Sequence, residues 1–148
     1  MPAYNFKKEF ASLVESGQKQ QTIRQTSRGA KVGGTAYLYT GMRTKVCRKL
    51  GEGTIIEVLQ IAITRTRTGS PYAYTISNGK RDHYAMTGLD ELARADGFAS
   101  RSEMVSWFEN QYGLPFNGYL HKWVLLPNVE VAAALPLGSV FSRDKNES

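Results

Sequence analysis

Apolar positions change their period several times along the chain, and each change marks an element. In KKEFASLVE, residues 7–15, Phe10, Leu13 and Val14 recur at helical spacing, and Gly17 behind them supplies a stop. The next stretch, QQTIRQT, alternates. Thr22 and Arg24 fall on one side and Ile23 on the other, which is the period of a strand. RGAKVGGT reads as a glycine-rich turn and TAYLYT as a second strand. GMRTKVCRKLGEG is basic and reads as a loop. TIIEVLQIAIT is apolar at both parities and rich in β-branched residues, which predicts a strand buried on both faces. The parity of Leu59, Ile61 and Ile63 runs on into Arg65 and Arg67, so this strand is expected to leave the core with its arginines turned outward. YAYTIS is a further strand, ended by the turn signal Asn78-Gly79.

Helical spacing then returns. In TGLDELARADGF, Leu89, Leu92 and Ala93 share a face and Gly97 stops the helix. SRSEMVSWFENQYG opens with Ser100 and has Glu103 three positions later, a capping-box pattern. Its apolar stripe, Met104, Trp107, Phe108 and Tyr112, reads as core. NGYLHKWVLL is a last strand, and residues 128–148 read as a tail, partly ordered or flexible. The order of helix, strands, two helices and strand is α+β, with a small mixed or barrel-like sheet.

Composition narrows the class. A chain of 148 residues with 41% apolar and 22% charged residues fits one globular domain. No run approaches the ~20 apolar residues of a membrane helix, and MPAYNFKKEF lacks the apolar stretch of a signal peptide. The expectation is a soluble, cytoplasmic protein with no membrane partner. The single cysteine, Cys47, rules out an internal disulfide and a multi-cysteine zinc site. Cys47 has basic neighbours but no evident partner base, so no nucleophilic role is assigned to it. His83 and His121 lie far apart, share no ligand spacing and read as surface or edge residues. No metal or other cofactor is expected, with only an oxygen-ligated magnesium left open. Dinucleotide, P-loop, zincin and nucleophile-elbow motifs are absent from the sequence.

Charge adds a direction. The formal net charge is +6, and it is uneven. From Lys19 to Arg81 there are twelve Lys or Arg against two acids, Glu52 and Glu57; the remainder carries seven bases and eleven acids. A basic middle suits a polyanion, and it equally suits a solvated face. Arg43, Lys45, Arg48 and Lys49 fall in the segment read as a loop, where they can contact phosphates. Tyr37 and Tyr39 share one strand face, and Tyr72 and Tyr74 another. Aromatics beside basic groups suit single-stranded nucleic acid, and the same residues fit half-buried sheet positions.

SGQKQQTIR, residues 16–24, holds the candidate chemistry. A helix ends, a turn carries Lys19, and the next strand presents Thr22 and Arg24 together. A threonine hydroxyl is a nucleophile only when a base takes its proton. A lysine is such a base only when burial or a nearby cation lowers its pKa, and Arg24 is a candidate for that neighbour. Arg24 is also suited to hold a phosphate, carboxylate or carbonyl oxygen. The stretch reads just as well as a polar turn into an edge strand.

Longer motifs favour the functional reading. F-x-x-L-V-E-S-G-x-K-x-x-T-I-R at residues 10–24, KVGGTAYLYTGMRTKVCRKLG at 31–51, GLDELARADGFASRSEMVSWFENQYG at 88–113 and the closing GYLHKWVLL together resemble the ASCH domain, the activating-signal-cointegrator homology family. The resemblance spans about residues 6–126 and gives 1–127 as the domain. It implies a PUA-like β-barrel of five to six strands with flanking helices and a cleft on one side. It implies binding of RNA or nucleosides. One bacterial branch of the family removes the acetyl group from acetylcytidine with a lysine, a threonine and a glutamate, which fall here on Lys19, Thr22 and Asp96. Another branch cleaves RNA, for which Lys19 and Asp96 would serve as acid and base. The chain departs from the deacetylase branch in carrying aspartate for glutamate, and in its extra length, basic segment and tail. The expectation is therefore an RNA- or nucleotide-binding domain with Lys19, Thr22, Arg24 and Asp96 in a basic cleft, helped by Tyr39, Arg43, Lys45, Arg48 and Lys49. The rivals are a deacetylase acting on a modified nucleoside, a ribonuclease and a non-catalytic protein-interaction module.

Overall fold

The computed structural model describes residues 2–127; the expected tail at 128–148 lies outside the described residues. The elements run β1 (Ala3–Phe6), α1 (Lys8–Ser16), β2 (Gln21–Arg24), β3 (Thr35–Thr40), β4 (Arg48–Arg65), β5 (Pro71–Ser77), β6 (Lys80–His83), α2 (Met86–Ala95), α3 (Arg101–Tyr112) and β7 (Phe116–Leu125). The architecture is α+β, a mixed seven-stranded sheet with three helices among the described residues. None of these helices is long and apolar enough to cross a membrane.

β4 is the spine of the sheet. Gly53 and Thr54 pair with both β3 and β7, and Gln60 to Ile63 pair with both β5 and β7. A strand has two edges, so β3 and β5 follow each other along one edge of β4 and β7 occupies the other. β2 lies antiparallel beyond β7, β1 parallel beyond β3, and β6 antiparallel beyond β5. Asn78 (φ 52°) and Gly79 (φ 77°) make the two-residue β5–β6 turn, as Asn-Gly signals.

Two cores form on opposite faces of this sheet. Leu120 and Trp123 of β7 are three positions apart and so point to opposite sides. Leu120 joins Ile23, Ile61, Ile63 and Phe116 under α2 and α3, which contribute Leu89, Leu92, Met104 and Phe108. Trp123 joins Tyr4, Phe6, Leu38, Leu50 and Ile55 under Ala11 and Val14 of α1. Phe10 packs against both.

The sheet has seven strands where five to six were expected, and it is open among the described residues. Among the described residues β1 pairs only with β3, and β2 only with β7. Side chains span the seam between β1 and β2. Arg24 Nη2 donates to the Asn5 carbonyl at 3.0 Å. The Arg24 guanidinium also lies 5.6 Å from the Tyr4 ring centroid and 5.0 Å from that of Phe6. It fills the width that ladder hydrogen bonds would need.

Several local expectations are corrected. Arg48 to Gly53 is strand rather than loop, because β3 captures it in a ladder that includes Thr40↔Arg48 and Tyr39↔Lys49. Burial on both faces of β4 is confined to Ile61–Ile63; Ile56, at a bulge, and Gln60 are exposed. Arg65 turns toward α3, where Nη2 meets Glu109 at 3.1 Å. The Ser100 cap forms, its hydroxyl accepting from Glu103 N at 3.2 Å, while the Glu103 carboxylate accepts from Ala99 N, one residue before the box position. In α3, Met104 and Phe108 are buried, but Tyr112 is 47% exposed.

His121 is not an edge residue; it is 2% exposed. Its Nε2 lies 3.0 Å from the Thr26 carbonyl, which only accepts, so Nε2 carries the proton. Nδ1 then accepts from the Tyr4 hydroxyl at 2.8 Å. Burial holds the Tyr4 phenol up at about 12, against the pull of Arg24, so it stays a donor. Burial also holds His121 below the usual histidine value; the Thr26 carbonyl opposes this and Arg24 adds to it.

A pH dependence follows. With its folded pKa lowered, His121 takes up a proton in the unfolded chain first as pH falls below about 6.5. Unfolding therefore binds a proton there, and stability drops as the solution is acidified. Urea midpoints measured between pH 7.5 and 5 should fall, and His121→Gln should show a shallower fall than the parent.

Candidate functional site

The cleft lies where the open seam meets the end of α2. Helix α1 ends at Gly17 in the left-handed conformation (φ 86°), and Lys19 N donates to the Leu13 carbonyl at 2.9 Å, which turns the chain back. Helix α2 ends in a Schellman arrangement. Phe98 N donates to Ala93 O at 2.8 Å and Gly97 N to Arg94 O at 3.0 Å. Gly97 has φ +99°, and a Cβ there would come within 2.9 Å of the Phe10 ring, so glycine meets both the backbone and the packing requirement. This ending aims both the carbonyl and the carboxylate of Asp96 at Lys19. Lys19 Nζ donates to Asp96 O at 2.6 Å and lies 3.2 Å from Oδ1. Gln21 Nε2 donates to Oδ1 at 3.3 Å and to Leu92 O at 3.4 Å. A cation thus meets the Asp96 carbonyl at the negative end of the α2 dipole, and the amide adds a second donor to the Leu92 carbonyl, which already accepts from Asp96 N.

Lys19 is 3% and Asp96 5% exposed. Burial draws the Lys19 amine below the usual lysine range, against the attraction of Asp96, and the Arg24 charge lowers it further. Burial pushes the Asp96 carboxyl up, against Lys19 and Gln21. Both groups are drawn toward neutrality by desolvation and held charged by each other. The Lys19 ammonium also sits 5.2 Å from the Phe10 ring centroid and 5.8 Å from that of Phe6.

Thr22 and Arg24 line the same cleft. The Thr22 hydroxyl accepts from Arg24 Nε at 2.9 Å. Lys19 bonds Asp96 instead of Thr22, so amine and hydroxyl share a cavity without a direct hydrogen bond. Phe6, Phe10, Phe98, Trp107 and Tyr112 give the cleft aromatic walls around a volume of about 110 Å³.

The basic segment stands outside the cleft. Arg48 lines an adjoining groove of about 580 Å³ with Val46, Thr40 and Lys8, and this groove shares Asn5, Phe6 and Lys7 with the cleft. Asn5 is the dividing wall; its carbonyl accepts from Arg24 and its Oδ1 from Met42 N at 3.0 Å. Arg48 is paired with Glu15 at 2.8 Å, and Lys49 with Glu52. The Lys49 ammonium lies 5.6 Å from the Tyr37 ring, and Tyr39 is half-buried outside both linings. Arg43 and Lys45 are exposed and make no ion pair among the described residues. No cluster of three or more His, Cys, Asp or Glu that would hold a metal occurs among the described residues.

Sequence reasoning missed Asn5 and Gln21. Tyr4 and Phe6 alternate with polar neighbours, a signal for β1 that was there to use; nothing in the sequence points to Gln21 as the second ligand of Asp96. No protein-family model matches the chain, and no curated protein or solved structure does either.

The buried pair has a measurable signature. Lys19→Met and Asp96→Leu should each lower the unfolding free energy by about 3–5 kcal/mol, because each strands the other charge. The double variant should lose much less than the sum in a denaturant double-mutant cycle. Additive losses would mean that the two groups are not coupled.

Proposed function

We propose that the protein is a cytoplasmic RNA- or nucleotide-binding domain whose cleft takes the head of the ligand while the adjoining basic groove takes its phosphates. One observation carries this reading. A buried ion pair, a hydroxyl and a guanidinium line a single aromatic-walled cleft, and perturbed titratable groups in a cleft mark functional sites. Size then decides what enters. About 110 Å³ is well below the ~300–1,000 Å³ of a pocket that encloses a whole small ligand. The edge of a base or an acyl group fits, and the rest of the ligand lies outside. The groove across Asn5, with Lys7, Lys8 and Arg48 on its walls, lies next to that exit. Arg43 and Lys45 extend the positive surface with charges that meet no carboxylate among the described residues.

On this reading the chain is an ASCH domain, and its sheet is a PUA-like barrel left open at the β1–β2 seam. Support comes from the motif itself. Its lysine and threonine, at Lys19 and Thr22, line one cleft with Asp96 although 77 residues separate Lys19 from Asp96.

A second reading is hydrolysis of an acyl amide on a modified cytidine. The lowered Lys19 amine and the Thr22 hydroxyl in one small cavity favour it. The hydroxyl would add to the acyl carbonyl while Arg24 holds the carbonyl oxygen. Lys19 would take the hydroxyl proton and return it to the departing amine, and water would then release the acid from Thr22. For this the amine must leave Asp96 for Thr22.

Two measurements separate these readings. Anisotropy with a labelled single-stranded RNA should show affinity falling steeply with salt. Arg43→Glu with Lys45→Glu should flatten the logarithmic slope by about 1.4, two contacts at ~0.7 each. An affinity indifferent to both salt and charge reversal would refute the polyanion reading. Incubation with acetylcytidine should yield acetate only if the second reading holds, and Lys19→Ala and Thr22→Val should then each abolish it.

A further inference from the structure

The sheet presents a second surface that the cleft does not use. Directly paired residues point to the same side of a sheet. Arg81, Ile76, Gln60, Tyr119 and Arg24 are paired in succession from β6 to β2, and so form one row across five strands. Tyr72, Tyr74 and His83 stand on the same side as this row. The opposite side of β5 carries Ala73 and Thr75, both buried, with Ala73 in the core under α2 and α3. The face with the tyrosines therefore points away from that core, and among the described helices α1 packs on this side at the far end, around Trp123.

The three rings form a preassembled cluster. Tyr72 and His83 stack at 5.5 Å with 21° between planes, Tyr74 lies 5.3 Å from His83, and Tyr72 lies 5.9 Å from Tyr74. A hydrogen bond between the Tyr72 hydroxyl and His83 Nδ1 ties them together. The Arg81 guanidinium sits 4.7 Å from the Tyr74 ring centroid. His83 and Arg81 are exposed, and both tyrosines are partly so. Among the described residues no carboxylate occupies a strand position of this face; Asp82, between the two, is paired with Thr75 and points to the other side. Held rings beside a guanidinium that makes no ion pair among the described residues match a nucleobase with its phosphate. They do not match an acidic protein surface, which would leave the rings unused.

We infer that this face, from the β5–β6 hairpin across β4 and β7, is a base-stacking platform for single-stranded RNA that leads to the cleft at Arg24. The inference rests on the RNA-binding reading and adds to it the form of the ligand and its path. Bases stack on Tyr74 and on the Tyr72–His83 pair, while Arg81 holds the intervening phosphate. From Arg81 to Arg24 the row crosses four strand spacings, about 19 Å at ~4.8 Å each.

The test uses the full chain and labelled 12-nucleotide probes: single-stranded uridine, the same length of duplex, and an abasic strand. Single-stranded RNA should bind more tightly than either control. Tyr74→Ala and Tyr72→Ala should each weaken it by about 5- to 150-fold, the loss of one stacked base, without changing the salt slope. Tyr74→Phe, which keeps the ring, should weaken it far less. If Tyr74→Ala fails to fold, Arg81→Ala and His83→Ala on the exposed edge strand read the same surface. Parent-like binding by all these alanine variants, with the Arg43 and Lys45 reversals still weakening RNA, would overturn the platform and leave the RNA-binding reading standing. No RNA binding by the parent would overturn both. A change in sedimentation with no change in RNA affinity would make the face a self-contact and refute the platform.

Discussion

The contact between the Lys19 amine and Asp96 is the constraint on which the rest of the structure depends. It joins the turn after α1 to the end of α2, and these helices belong to different cores on opposite faces of the sheet. Two charges removed from water are costly unless every donor and acceptor is matched. Here the helix end supplies the matching. The Schellman ending of α2 presents a carbonyl and a carboxylate together to Lys19, and Gln21 donates to the same Oδ1 and to the Leu92 carbonyl. The pair is therefore specific in geometry, which a hydrophobic contact at the same place would not be.

A second feature follows from the first. With β2 tied to α2, its outer edge faces β1 across a seam that no ladder closes among the described residues. Arg24 bridges that seam with its side chain, stacking on Tyr4 and Phe6 and bonding the Asn5 carbonyl. A gap bridged by a side chain admits small groups, whereas a ladder would admit none. The cleft is that gap. Asn5 stands between it and the basic groove, and Phe6 and Lys7 line both. Lys19 keeps its partner Asp96, while Arg43 and Lys45 are exposed to solvent.

Much of the fold is legible along the chain because its causes are local. The helix at 8–16 with its glycine stop, the Ser100 cap, the Asn-Gly hairpin and the alternation of TAYLYT each depend on a few neighbouring residues. The errors fall where distant segments decide. Arg48 to Gly53 is strand because β3 lies beside it, not because of its own composition. β1 forms by parallel pairing with Thr35–Thr40, a partner more than thirty residues away. His121 is buried because Tyr4, 117 positions away, seats against it.

The sequence by itself determined the three helices, five of the seven described strands and their order, the excess of positive charge and the side-by-side placement of Thr22 and Arg24, since period, turn chemistry and charge act over a few residues. Its motif resemblance brought Asp96 into view, but not the atom to which Lys19 bonds. Tertiary structure alone decided that Lys19 partners Asp96 rather than Thr22, that Gln21 completes the site, and that the sheet stays open at the cleft. Those outcomes depend on which buried groups meet and on how much water their meeting excludes, and neither is set until the two cores have packed.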